Sequence, residues 1–256
     1  MRLLEVQDLS MYFGGLGAVR DLALTLDERE ILAVIGPNGA GKTTFFNLLS
    51  GFLRPTRGRI LFREQEITGL EPHRIARHGI VRTFQSTKVF PNLTVLQGVR
   101  AGCHQRVRSS WRDIIFRSRV FREEDRSVAA EALDLLEFTG LAARRDVPAK
   151  DLSYGEQRLL GVAVALGARP RVLLLDEPAA GMNPDETNRM IDLVTRIRAQ
   201  GIAVMLVEHN MYMVMGISDR VVCLNYGQKI AEGTPQEIQC HPEVIAAYLG
   251  QGAACA

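Results

Sequence analysis

The chain has 256 residues, 46 % of them hydrophobic, with 31 Lys and Arg against 29 Asp and Glu for a formal charge of +2. That length suits one large domain or a core carrying a subdomain, with apolar content enough for a packed interior, so disorder is excluded; the charge balance argues against a protein built mainly to grip nucleic acid. Cys103, Cys223, Cys240 and Cys255 are far apart without CxxC spacing, which signals neither a zinc site nor a disulfide framework and fits a reducing compartment.

The N-terminus MRLLEVQDLS lacks the apolar stretch of a signal peptide, and no run approaches the roughly 18 apolar residues that cross a bilayer. Residues 1 to 35 read as strands and turns: LLEV, MYF before Gly14 and Gly15, LALTL, then the continuous run ILAVI ending at Gly36. A helical pattern follows through Leu49, then a strand RILF at 59 to 62. RVLLL at 171 to 175 and IAVMLV at 202 to 207 are apolar without alternation, as parallel strands covered on both faces are, with a polar helical stretch at 185 to 199 between them. The order predicts an α/β fold whose mostly parallel sheet is flanked by helices. Residues 86 to 165 break the rhythm with helical patterns and almost no strand signal, as a helical subdomain inserted in the core does. Within it, residues 100 to 126 hold eight arginines against four acidic residues, interleaved with Trp111, Ile114, Ile115, Phe116 and Phe121. A solvated amphipathic surface helix is the simpler account, with a membrane-headgroup or partner contact as the alternative.

Gly36, Pro37, Asn38, Gly39, Ala40, Gly41, Lys42 and Thr43 fit the phosphate-loop pattern GxxxxGK[ST], between an apolar strand and a helix. The glycines let backbone N–H groups turn inward as an anion nest, Lys42 reaches the β- and γ-phosphates, and the Thr43 hydroxyl faces Mg²⁺. A second strand, VLLLDE, ends in two acids: Asp176 to hold the metal through its water shell, Glu177 to polarise an attacking water. Gln85 offers a neutral amide oxygen as a displaceable metal ligand. His209 stands two residues after the end of IAVMLV and so emerges at a strand's C-terminal end, where open α/β sheets bind ligands. Ser153 and Glu156 in LSYGEQRLL form a capping box ahead of a helix whose buried face is Leu159, Leu160, Val162, Ala163 and Leu166.

With GPNGAGKTT, Gln85, LSYGEQ, VLLLDEP and His209 in this order, the sequence resembles the nucleotide-binding subunits of ABC transporters over residues 3 to about 250. The resemblance implies one ABC ATPase domain: a P-loop core with an N-terminal antiparallel β part over 1–85 and 166–256, and the helical subdomain over 86–165. It implies ATP and Mg²⁺ as cofactors, held by Phe13, residues 36 to 43 with Thr44, Gln85 and Asp176, the metal falling to Thr43, Gln85 and Asp176. Phe13, just before the Gly pair, is preferred over Tyr12 as the adenine-stacking aromatic. Two subunits pair head to tail in that family, so Ser153, Gly155 and Glu156 serve the ATP of the partner; Glu177 becomes the catalytic base and His209 the switch residue. The capping box and the phosphate contact are then one piece of hardware, since a helix N-terminus stabilises phosphate.

Two departures stand out. Tyr154 and Glu156 replace residues of the usual LSGGQ, and Ala180, Gly181, Met182 and Asn183 stand where SALD is common, so a hydroxyl and a carboxylate are missing. IARHGIVRTFQSTKVFPNLTV, DEPAAGMNPDET, HNMYMVMGISDRV and HPEVIAAYLG are similar to the LivG-type ATPases of branched-chain amino acid importers, whose relatives serve urea and short amides. The implied setting is the cytoplasmic face of the plasma membrane. The implied partners are transmembrane permease subunits, a second ABC ATPase that is a paralogue or a second copy, and, through the permease, an extracytoplasmic solute-binding protein. No nucleic acid is expected. A soluble ABC-type ATPase without a permease is the alternative; a P-loop kinase or GTPase leaves LSYGEQ and His209 without a role.

Overall fold

The computed structural model describes residues 1–83, 91–104, 113 and 118–249. It divides into two compact units, Met1–Arg82 with the chain from Arg171 onward, and Thr83–Pro170.

The first unit opens with a hairpin, β1 (Arg2–Phe13) and β2 (Leu16–Asp27), followed by β3 (Ile31–Ile35), α1 (Lys42–Leu49), β4 (Arg57–Phe62), β5 (Gln65–Glu66), α2 (Pro72–His78) and β6 (Ile80–Arg82). The second unit supplies α3 (Val95–Cys103), α4 (Arg119–Phe138) and α5 (Tyr154–Gly167). The chain then returns to the first through β7 (Val172–Asp176), α6 (Pro184–Ala199), β8 (Ala203–Val207), α7 (Met211–Ile217), β9 (Arg220–Asn225), β10 (Gln228–Gly233), α8 (Pro235–Gln239) and α9 (Pro242–Leu249).

Two sheets form the first unit. One is antiparallel, in the order β2-β1-β4-β5; the other runs β10-β9-β3-β8-β7-β6 and is parallel except for β10. Every residue of β3, β7 and β8 is buried, which is why these strands read as unbroken apolar runs. The two sheets share one core: Leu4, Leu9 and Leu22 of the antiparallel sheet cluster with Leu32, Leu174 and Met205 of the parallel one and with Phe45 and Phe46 of α1. The two rings meet edge-on, with centroids 6.2 Å apart; truncating either to Ala costs about 3 to 5 kcal/mol in transfer and cavity terms.

Register then decides where chemistry can occur. Val34 pairs with Val207 and Asp176 pairs with Val207, so β3, β7 and β8 end level with one another. The chain segments beginning at Gly36, Glu177 and Glu208 therefore leave the sheet from one carboxyl edge, the edge at which open α/β sheets bind ligands.

The second unit is helical over its described residues, where the strand-like pairing is confined to one isolated bridge, Thr94 to Pro148. Val99 of α3, Val128, Ala132 and Leu136 of α4, and Leu160 and Ala163 of α5 form its core. Leu160, Val162, Ala163 and Leu166 are buried as the LSYGEQRLL pattern predicts, and Leu159 is half-buried. Residues 105–112 and 114–117 of the arginine-rich stretch lie outside the described residues; Ser118, which accepts from the Phe121 N–H, starts α4 within it.

Some elements differ from the sequence reading. LLEV and MYF belong to a single 12-residue strand whose register shifts between Val6 and Leu9, where Asp8 sits at φ 45°; that irregularity breaks the alternation on which a strand assignment rests. β6, β9 and β10 had no counterpart in it; β6, with three residues, is too short for any pattern.

Candidate nucleotide site

The loop between β3 and α1 is built around two glycines that no other residue can replace without displacing backbone. Gly36, at φ 148°, would put a Cβ 2.1 Å from the Leu224 carbonyl oxygen, and Gly41, at φ 100°, would put one 2.2 Å from that of Ala18. Gly41 is also the N-cap of α1 and brings no side-chain cap, and the first turn carries no acid. The orphan N–H groups at that helix end are thus left for an anion. Lys42 is 6 % exposed; its Nζ donates to the Gly36 carbonyl at 2.7 Å and the Pro37 carbonyl at 3.0 Å, lying back across its own loop. Burial pushes its ammonium below 10.5, with Glu177, Cys223 and Asp176 opposing the shift.

A pocket opens at this loop. Among the described residues it is lined by Asn38 through Thr44, by Glu177 and His209, by Leu16, Gly17, Ala18 and Arg20 of β2, and by Tyr226. Arg20 ties its walls together, its N–H donating to the Gly227 carbonyl and its guanidinium to the Tyr226 carbonyl. Glu177 follows β7 in the left-handed region at φ 49°, uncommon for Glu, and its N–H donates to the Val207 carbonyl at 2.9 Å. His209 Nε2 lies 3.6 Å from Glu177 Oε1, within ion-pair reach and beyond a hydrogen bond.

Asp176 is 1 % exposed, and its Oδ2 accepts from Arg82 Nη2 at 2.6 Å. The same guanidinium donates to Asn47 Oδ1 and Ser50 Oγ and lies 5.8 Å from the centre of the Phe46 ring. Glu208, also buried, accepts three backbone N–H groups, from Ala179, His209 and Asn210. The Tyr248 hydroxyl of α9 accepts the Gly36 N–H at 2.7 Å, and burial pushes that phenol up to about 12. Sequence reasoning named none of Arg82, Glu208 and Tyr248, although Arg82 and Tyr248 stand inside stretches it quoted and Glu208 lies between IAVMLV and His209.

The remaining expected residues are placed as follows. Phe13 ends β1, 48 % exposed and outside the pocket lining, with Tyr12 beside it at 39 %. Gln85 lies outside the described residues. Ser153, Gly155 and Glu156 belong to the helical unit, at the N-terminus of α5, where the predicted capping box is complete: Ser153 Oγ accepts the Glu156 N–H at 3.2 Å, and Glu156 Oε2 accepts the Ser153 N–H at 2.9 Å. Arg144 Nε adds a bond to Glu156 Oε1 at 2.9 Å. Burial raises the Glu156 carboxyl, but the bonds from Ser153 and Arg144 outweigh it and hold the group below its ordinary 4.5. In the loop after Glu177, Asn183 caps α6 in a second box with Glu186, so its amide oxygen is engaged by the Glu186 N–H.

Comparison with known proteins agrees with this architecture. A family profile described as ABC transporter matches residues 19–180, and a second, described as branched-chain amino acid ATP-binding cassette transporter, matches residues 228–254. The high-affinity branched-chain amino acid transport ATP-binding protein BraF of Pseudomonas aeruginosa is 43 % identical over 97 % of this chain and 98 % of its own. LivG of Escherichia coli K12, which carries the same description, is 43 % identical with the same coverage. The crystal structure of a nucleotide-free ATP-binding cassette from an ABC transporter superposes with a TM-score of 0.87 at 30 % identity, covering 98 % of this chain and all of that one. The chain belongs to the ABC transporter family, as one of its ATP-binding cassettes.

Proposed function

We propose that this cassette is the ATP-hydrolysing motor subunit of an importer for branched-chain amino acids, acting peripherally on the cytoplasmic side of membrane-spanning permease subunits. The observation that carries the reading is the single pocket into which the phosphate loop, Glu177 and His209 all open. An ATP polyphosphate laid on the α1 N-terminus has Lys42 at hand for its charge. Glu177 accepts a proton from the water that attacks the γ-phosphorus as the bond to the ADP oxygen breaks, and His209 orients water and phosphate. Phe13 stacks on the adenine in this reading.

The hydroxyl of Thr43 and the carboxylate of Asp176 are hard oxygen donors that suit Mg²⁺, which would supply charge neutralisation on the phosphates. Gln85 is the third donor proposed. The site is completed when Ser153, Gly155 and Glu156 of a second cassette, a paralogue or another copy, present the α5 helix end to the γ-phosphate. ATP then closes the pair and hydrolysis reopens it. No described helix is long and apolar enough to cross a membrane, so solute passage is the work of other subunits.

Reconstitution with candidate permease subunits in liposomes tests the proposal. ATP-dependent uptake of leucine that is lost with Glu177→Gln supports it. Uptake of urea or a short amide in place of leucine moves the solute assignment, and a cassette that hydrolyses ATP but binds no permease returns it to a soluble ATPase.

A further inference from the structure

The pocket leaves unused one buried charged group that touches both of its catalytic loops. Glu208 is 2 % exposed, and its carboxylate is met by backbone N–H groups. Burying an unpaired carboxylate is costly unless hydrogen bonds replace its water. Here they come from three peptide N–H groups: Ala179 to Oε1 at 2.6 Å, and His209 and Asn210 to Oε2 at 2.9 and 3.1 Å.

These bonds do not duplicate ordinary helix capping. Asn210 is already the N-cap of α7, its Oδ1 accepting the Met213 N–H at 3.2 Å. Glu208 instead spans two segments: one oxygen holds the turn that follows Glu177, and the other holds the backbone of His209 itself. Glu177 is kept in the left-handed region, a conformation that persists only where the surroundings over-determine it. Its own N–H is fixed to the Val207 carbonyl on one side. The Ala179 bond to Glu208 fixes the turn on the other, two residues on.

We propose that Glu208 is a positioning residue for hydrolysis, a carboxylate brace that sets the base Glu177 and the switch residue His209 in fixed relation while taking no part in nucleotide binding. This rests on the ATPase reading above. Only a carboxylate serves, because both oxygens must accept; an amide turns an NH₂ group toward at least one of the donors.

The test is a double-mutant cycle on the full-length protein with Glu208→Gln and Glu177→Gln, measuring single-turnover ATP hydrolysis and equilibrium ATP binding. Losing a charge-assisted bond predicts a fall in turnover of about tenfold or more for Glu208→Gln, with ATP affinity within about twofold of wild type. In the Glu177→Gln background the same change costs clearly less than in the wild type, since one of the two groups that the brace positions is already lost. Wild-type turnover in Glu208→Gln, or losses that multiply in the double variant, overturn the proposal. Should Glu208→Gln fail to fold, amide exchange on the wild-type protein decides. The brace requires the Ala179, His209 and Asn210 amides to exchange with one common opening free energy, and independent exchange overturns it. A wild-type protein that does not hydrolyse ATP counts against the ATPase reading, and the exchange result then judges the brace alone.

Discussion

Arg82 and Asp176 form an ion pair at 2.6 Å with side chains 13 % and 0 % exposed, joining the short edge strand β6 to the end of β7. The same guanidinium bonds Asn47 and Ser50 of the α1 turn, so one side chain ties the strand that ends in Asp176 to the helix that follows the phosphate loop. Removing one member of such a pair takes away the closest opposite charge from a group that burial has already stripped of water. Arg82→Met is expected to cost about 3 to 5 kcal/mol, and Arg82→Met combined with Asp176→Leu to cost less than the sum of the two. Urea midpoints of the three variants check this; additive losses contradict it.

Lys42 is held at a cost. Its pKa is lowered by burial, so at neutral pH the charged form is penalised in the folded protein, and the penalty is relieved only as pH rises through the folded and then the unfolded value. An anion brought against the ammonium would offset that penalty. Thermal shifts with and without ATP should therefore rise for the wild type, by about 2.7 kcal/mol of stabilisation at 100 times Kd, and stay flat for Lys42→Met.

Ser153 carries two roles that separate by substitution. Its oxygen caps α5, so Ser153→Ala is expected to cost about 1 kcal/mol, while Ser153→Asn keeps a capping acceptor and most of the stability. If the helix end also meets the γ-phosphate of a second cassette, both variants lose turnover per folded molecule. Normal hydrolysis by folded Ser153→Asn would leave the box a cap and nothing more.

Tyr248 links the C-terminal helix to the phosphate loop through the Gly36 N–H. Its phenol is raised from 10.0 to about 12, chiefly by burial, so it favours the folded state fully below pH 10 and loses that contribution as pH climbs to 12. Across that window wild-type stability should fall more steeply than that of Tyr248→Phe. Parallel denaturant midpoints from pH 9 to 12 would show the phenol contributing nothing.

Much of this site was readable from one chain, and the reason is local chemistry. The phosphate loop is a contiguous stretch; β3, β7 and β8 are apolar throughout because both faces are covered; Ser153 and Glu156 meet within a single turn. What stayed hidden depends on partners distant in sequence. Arg82 meets Asp176 across 94 positions, Glu208 meets Ala179 across 29, and Tyr248 meets Gly36 across 212. β6 is too short for any pattern.

The central claim is that Glu177, in its strained turn in the pocket lining, is the base for ATP hydrolysis. Glu177→Gln keeps the shape and removes the charge, so the decisive measurement is its steady-state ATP hydrolysis alongside ATP binding at equilibrium. The account predicts turnover lowered by about 10² to 10⁴ with binding retained. Hydrolysis close to the wild-type rate would contradict it.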